Sequence, residues 1–408
     1  MSPLELPPSV DNVDFASLPW NLNLPSQHVY LHLTTTTDWS EEEKFLQELE
    51  SSVFSYQDRP LPLTPATTSL NYGTTLWEGL KAYRVDDLKA VVFRPDQNYA
   101  RMWAGAHEMC LPMPSKRLFL RAVQLAVQKN AHLLPPVGDG MKLYVRPMLL
   151  GSGQQLGLYP SPQVSFLVYV SPTGNHFASA TAGLNLHLET RRARASRGGM
   201  GSTKCAGNYA VALKPLMDAK KHGFHDNVFL ELETLPEKDG HGIEQAVLQE
   251  LSAANVFVVL RTGEIVTPSL DRGTILPGVT RRSVVELIEA FADELQPFMA
   301  KSTENPDVRV TVSTRDITVG ELAHATEFFA TGTAAEVVPV ARVATSPDDH
   351  FSSVDVTFPH GADLPGGPVT AKLLDMLREA MKGMRGADGG PCNGWLRDPL
   401  ASPEDFCA

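Results

Sequence analysis

Cysteine is scarce in this chain of 408 residues, with only Cys110, Cys205, Cys392 and Cys407. Their spacing forms neither a disulfide framework nor a metal-ligand set, so the expectation is free thiols in a reducing compartment. Basic charge is also short: 35 Lys and Arg stand against 47 Asp and Glu, a formal net charge of -12. That balance argues against a nucleic-acid surface or an anionic membrane as partner. No apolar run approaches the ~20 residues that cross a bilayer. The first basic side chain is Lys44, well after Glu5, Asp11 and Asp14. Transit peptides are Arg-rich and acid-poor, and signal peptides start basic and turn apolar. A cytosolic protein is therefore expected. His222 and His225 lie one helical turn apart without a third ligand, which gives no metal site. Gly151-Ser-Gly153-Gln-Gln-Leu-Gly157 lacks the spacing of a dinucleotide loop.

What is present suits a globular protein of two domains, at roughly 100–200 residues each. Residues 1–27 are Pro-rich and aperiodic and read as an arm. Val29 to Thr35 and Ala90 to Arg94 read as strands. Gln97 to Cys110 reads as a helix, and Ser115 to Asn130 as another capped by Ser115. Lys142 to Leu150 and Ser165 to Val170 are further strands, which gives a small domain over 28–173. A turn-rich loop at 174–183 leads to a larger domain over 184–386, followed by a tail at 387–408 that matches no pattern. In the larger part Leu184 to Leu188, Asn227 to Leu232, Asn255 to Arg261, Val308 to Ser313, Glu327 to Ala330 and Val337 to Arg342 read as strands. Thr280 to Leu295 and Val369 to Met384 read as helices. Helices and strands mix without regular alternation, which favours an α+β class over a doubly wound sheet. Polar stretches at 38–58 and 233–244 read as surface inserts.

The most telling stretch is Gly198-Gly199-Met200-Gly201-Ser202-Thr203-Lys204-Cys205-Ala206-Gly207-Asn208-Tyr209. Lysine forms Schiff bases with carbonyl compounds and with pyridoxal phosphate, and flanking glycines let backbone approach a planar ligand. A lysine in such a loop is more often simply solvated, so the stretch alone leaves both readings open. A phosphate site is available downstream. Leu276-Pro277-Gly278-Val279-Thr280 opens a helix, with Thr280 as a candidate N-cap, and a helix N-terminus is an anion site. The small-residue turn Thr331-Gly332-Thr333-Ala334-Ala335 is a second place for an anion. Arg101 can add a charge-assisted contact. A capped helix, a plain turn and a solvated arginine are the ordinary alternatives.

Taken together, the segments resemble the branched-chain aminotransferases of the fold type IV pyridoxal-phosphate enzymes, over roughly residues 28–385. The landmarks are Leu70-Asn-Tyr72-Gly-Thr-Thr-Leu-Trp77-Glu-Gly-Leu-Lys-Ala-Tyr83-Arg, Asn98-Tyr-Ala-Arg101-Met, Leu143-Tyr144-Val-Arg146-Pro, the Lys204 stretch, Glu250-Leu-Ser-Ala-Ala-Asn255, Leu276-Pro-Gly-Val-Thr-Arg281 and Gly332-Thr-Ala-Ala-Glu336. Each is weak alone; their shared order carries the likeness. The resemblance implies a smaller α+β domain and a larger one with a barrel-like core, assembled as a homodimer. It implies pyridoxal 5'-phosphate as cofactor and transamination between branched-chain L-amino acids and 2-oxoglutarate by ping-pong kinetics.

The resemblance also implies roles. Lys204 would hold the cofactor as a Schiff base and move the substrate's α-proton. Arg101, Val279, Thr280 and Thr333 would hold the phosphate, and Tyr209 the phenolic oxygen. Glu250 would keep the pyridine nitrogen protonated, which makes the ring an electron sink. Tyr72, Trp77, Tyr144 and Arg146 would line the substrate pocket, with Ala334 and Ala335 amides for the α-carboxylate. Tyr144 and Arg146 are two apart on a strand and so share a face. Trp77 stands where the family usually has phenylalanine, an expected change in preference among apolar and methionine-like donors. Ala335 and Val338 replace the Cys-x-x-Cys of the animal enzymes. Asn175 and His176 replace the usual aromatic of the interdomain loop. A D-amino-acid aminotransferase, an aminodeoxychorismate lyase, a specialised-metabolism relative and a cofactor-fold binding module are the competing readings.

Overall fold

In the computed structural model all residues are described except 1–4, 35, 56–57, 175–182, 237–241, 347–352, 359–365 and 386–389. Asn175, His176 and nearly all of the expected interdomain loop lie outside the described residues. The chain divides into two compact units. The first comprises Met1–His176, Thr203–Ala206 and Ala380–Ala408, and the second Phe177–Ser202 and Gly207–Glu379.

The first unit holds β1 (Gln27–Thr34), α1 (Glu42–Ser51), β2 (Val53–Ser55), α2 (Thr68–Tyr72), β3 (Thr75–Trp77), β4 (Leu80–Arg84), β5 (Ala90–Phe93), α3 (Pro95–Glu108), α4 (Lys116–Lys129), β6 (Lys142–Gly151) and β7 (Gln163–Thr173). β6 and β7 form a long antiparallel pair from Lys142↔Thr173 to Gly151↔Val164. β1 pairs on the far side of β7, and β4 on the far side of β6. α4 explains the core of this unit. Ser115 caps it by accepting from the Leu118 amide at 3.2 Å, and Leu118, Phe119, Ala122, Val123, Leu125, Ala126 and Val127 are all buried. Nearly all-round burial marks a central helix, consistent with its contacts to β1, β6 and β7.

The second unit runs β8 (Leu184–Glu189), α5 (Ala206–Lys221), β9 (Asp226–Leu230), β10 (Leu248–Leu251), β11 (Asn255–Leu260), β12 (Glu264–Thr267), α6 (Val279–Ala290), α7 (Ala292–Thr303), β13 (Thr311–Thr314), β14 (Ala325–Gly332), β15 (Glu336–Ala344), β16 (Asp355–Thr357) and α8 (Pro368–Met381). Its sheet has the order β10-β9-β8-β15-β14-β11-β12-β13, with β16 on β15. β8 is parallel to both β9 and β15, whereas β11, β14 and β15 form antiparallel neighbours. Parallel and antiparallel pairs in one sheet with helices alongside fit the expected α+β class. The helix expected over Thr280 to Leu295 is two helices, broken at Phe291 (φ -130, ψ 34). Asp293 and Glu294 fall in the first turn of α7, where the helix dipole favours acids. Continuous apolar periodicity hid that restart.

The tail, unreadable in the sequence, belongs to the first unit. It supplies β17 (Leu396–Arg397), which pairs with β5, and α9 (Pro403–Cys407), which packs on α4. Arg94, just before α3, sits in the left-handed region (φ 47). Its amide donates to the Trp395 carbonyl at 2.6 Å, and its guanidinium lies 4.2 Å above the Trp395 ring. Those contacts offset the steric cost of a left-handed non-glycine residue.

Candidate active site

Lys204 is pinned to the first unit by its backbone. The Trp77 amide donates to the Lys204 carbonyl at 3.2 Å, and Leu76 bridges Cys205. One backbone hydrogen bond and an isolated bridge to β3 thus anchor the end of the glycine-rich loop that carries the lysine. Lys204 is half-buried, and burial is the largest of the causes that bring its amine down to about 8. Arg101 and Arg146 push it in the same direction, and Glu78 and Tyr144 oppose them.

Around this lysine the structure gathers Arg101, Trp77, Tyr144 and Arg146 from the expected set. Tyr144 and Arg146 share a face of β6. Arg146 donates from Nε and Nη2 to the Tyr144 hydroxyl at 3.1 and 2.7 Å, and its guanidinium lies 5.8 Å from the Trp77 ring. A Cβ at Gly79 would come within 2.3 Å of the Tyr144 hydroxyl, so glycine there is what admits the tyrosine ring. Arg101 donates from Nε and Nη2 to the two oxygens of Glu78 at 2.7 and 2.6 Å. The sequence reading gave Arg101 no such partner. Glu78 was missed because nothing in a Trp-Glu-Gly sequence marks a carboxylate as buried. Trp20 was missed as well. It comes from the Pro-rich arm and meets Tyr144 edge-on at 4.7 Å; the one signal was a lone tryptophan in an otherwise aperiodic segment. Tyr72 ends α2, and its hydroxyl donates to the Leu156 carbonyl, not to a residue around Lys204.

In the second unit the centre is Glu250, on β10 and only 2% exposed. Its carboxylate meets Arg194 at 2.7 Å and accepts from the Leu276 amide at 2.8 Å and from Asn255 Nδ2 at 2.9 Å. Burial lowers the Arg281 guanidinium to about 10, against the pull of Glu250. A carboxylate so braced points one way. Asn255 also donates to the Leu276 carbonyl at 2.9 Å, tying β11 to the segment before α6. A Cβ at Gly278 would fall 2.0 Å from Asn255 Oδ1, so that close approach requires glycine. Gly278, not Thr280, is the N-cap of α6, and no side chain caps that helix. Thr280 is already inside the first turn because the extended Gly278 starts the helix at Val279. Thr280 is buried, and the start of the helix has no side-chain cap. Thr333, Ala334 and Ala335 form the turn between β14 and β15. Glu336 closes it in the left-handed region (φ 58), held by Arg378 at 3.0 Å. Tyr209 is half-buried in the first turns of α5.

Residues 75–343 match the family described as amino-transferase class IV. The chain belongs to the class IV aminotransferases. It is similar to branched-chain-amino-acid aminotransferase 5, chloroplastic, of Arabidopsis thaliana, 40% identical over 79% of this chain and 69% of that one. Branched-chain-amino-acid aminotransferase 6 of the same plant is 40% identical over 72% of this chain and 73% of its own. The methionine aminotransferase BCAT4 of Arabidopsis thaliana is 35% identical over 93% of this chain and 94% of its own length. Among solved structures, the branched-chain aminotransferase of Thermobaculum terrenum in PLP-form superposes with a TM-score of 0.66 at 18% identity, covering 92% of this chain and 98% of that one. The fold of this chain is therefore that of the class IV aminotransferases. Among the described residues no helix is long and apolar enough to cross a membrane.

Proposed function

We propose that the chain is a pyridoxal-phosphate-dependent transaminase that moves the amino group of leucine, isoleucine or valine to 2-oxoglutarate. The observation that carries this is Lys204: a half-buried lysine beside Trp77 with its amine lowered to about 8, in a class IV aminotransferase. The donor set fits the cofactor. A near-neutral amine suits its aldehyde, a buried arginine and an uncapped helix start suit its phosphate, and the braced Glu250 suits a protonated ring nitrogen. When bound, the cofactor supplies the electron sink that makes the substrate's α-proton acidic.

The remaining work falls to side chains of this chain. Lys204 Nζ takes the α-proton and returns it, a task suited to an amine near neutrality. Arg101, Val279, Thr280 and Thr333 hold the phosphate, Tyr209 the phenolic oxygen and Glu250 the ring nitrogen. Trp77 and Tyr144 face the apolar side chain, and Arg146 takes the far carboxylate of glutamate; Tyr72, bonded to the Leu156 carbonyl, has no contact among the described residues around Lys204 that supports its expected place in this pocket. Ala334 and Ala335 amides take the α-carboxylate. Arg194 has a supporting part, since its ion pair fixes the Glu250 carboxylate.

A second reading, toward methionine-like donors, is favoured by one observation: the methionine aminotransferase matches almost the whole of this chain. A donor screen against 2-oxoglutarate decides between them. kcat/KM is expected to be highest for branched-chain L-amino acids; a preference for methionine or for D-amino acids would overturn the branched-chain reading. A homodimer is supported by Leu156, Leu158 and Tyr159, which are 88%, 79% and 72% exposed. The proposed address is the cytosol, whereas relatives carry chloroplastic and mitochondrial names; the location of the tagged full chain in cells tests it.

A further inference from the structure

Glu78 has no part in the chemistry above, yet its side chain is 0% exposed. It lies in the short break between β3 and β4, where its amide donates to the Pro147 carbonyl at 2.8 Å. Its carboxylate collects donors from one face of α3. Arg101 Nε reaches Oε1 at 2.7 Å, Arg101 Nη2 reaches Oε2 at 2.6 Å, and Asn98 Nδ2 reaches Oε2 at 2.7 Å. The Gly79 amide adds a longer contact to Oε2 at 3.3 Å. Asn98 and Arg101 are three apart on the helix, so both project from the same side.

Stability does not account for this arrangement. Desolvating an ion pair offsets most of its Coulomb gain, and an apolar pair of similar shape holds a core together as well. What the two-point contact does fix is orientation. A bidentate carboxylate sets both the plane and the rotamer of a guanidinium, which a single contact does not. Arg101 has 8% side-chain exposure, so it has little room to find another pose.

We infer that Glu78 is a positioning residue that presets the Arg101 guanidinium for the cofactor's phosphate. This rests on the reading of Arg101 as the phosphate's charged partner. Asn98 shares the task by holding Oε2 from the same helix face. The carboxylate has a second consequence on the same spot: it offsets the charge of Arg101 and Arg146 beside Lys204, which draws the amine upward.

The test uses the full-length apoprotein titrated with pyridoxal 5'-phosphate and, separately, with pyridoxal, which lacks the phosphate. Arg101→Met is expected to weaken the phosphorylated ligand by about tenfold or more, as loss of a charged hydrogen bond does, with pyridoxal changed little. Glu78→Gln is expected to reproduce that selective loss, and the Glu78→Gln/Arg101→Met double variant to lose no more than Arg101→Met alone. An unchanged affinity in Arg101→Met overturns the reading of Arg101 itself. A selective loss in Arg101→Met, with Glu78→Gln either silent or weakening both ligands alike, overturns the role of Glu78 only. Circular dichroism monitors folding. Should Glu78→Gln not fold, Asn98→Ala and Glu78→Asp carry the same comparison: a loss confined to the phosphorylated ligand supports the inference, and unchanged binding overturns it.

Discussion

Arg101, Arg146, Glu78 and Tyr144 surround Lys204 in an electrostatic group that sets the working range of its amine. Burial, with Arg101 and Arg146 acting in the same direction and Glu78 and Tyr144 against them, leaves the Lys204 amine at about 8. Removing one cation therefore has a definite sign. Arg146→Met relieves repulsion of the ammonium form, so the amine should titrate higher than in the parent chain. The pH dependence of aldehyde capture by the apoprotein measures this; an unchanged or lower midpoint would contradict the electrostatic account. At this scale the sequence was legible wherever a residue type implies its chemistry, as for Lys204, or wherever strand spacing places a pair, as for Tyr144 and Arg146. It was illegible for Glu78 and Arg194, whose meaning lies in a partner distant along the chain.

Among the elements, α3 is held at its start by a segment that follows it by almost the whole chain. Arg397 makes a two-point ion pair with Asp96, in the first turn of α3, at 2.9 and 3.0 Å, and Lys116 reaches the same carboxylate at 2.8 Å. Trp395 is 6% exposed, between Phe93 and Arg94. Trp395→Ala should cost about 3 kcal/mol of stability, as emptying a buried tryptophan site does; a melting curve matching the parent would contradict a structural tail. Burial raises the Asp96 carboxyl, but hydrogen bonds from Arg397 and Lys116 outweigh it and leave the group below its ordinary range. A depressed folded-state pKa adds stability above the unfolded value, which is lost as pH falls through the folded one. Arg397→Ala should therefore be less stable than the parent at neutral pH and converge with it in acid. A stability gap that stays constant down to acid pH would contradict the sign. The tail was unreadable in sequence because β17 is only two residues long and carries no periodicity. α4 was readable because cap, length and apolar pattern agree.

At the scale of the whole molecule, each of the two units has its own sheet, and the short Thr203–Ala206 stretch belongs to the first although its flanking residues belong to the second. That placement was not legible, since periodicity reports local structure and says nothing about where a short segment docks. Exposed apolar residues also have meaning here. Val211, Leu213 and Met217 on α5 are more than half exposed, and Leu213 and Met217 lie one helical turn apart on one face. A second copy of the chain is the proposed cover, and light scattering should give twice the 44.5 kDa chain mass. A monomer at working concentration would contradict it.

The central claim is that Lys204 carries the cofactor, and its most direct measurement is chemical. The protein is loaded with pyridoxal 5'-phosphate, reduced with borohydride, digested and mapped by mass spectrometry. The account predicts the phosphopyridoxyl mass on the peptide containing Lys204 and on no other lysine. The mass on a different lysine, or on none after full loading, would contradict it.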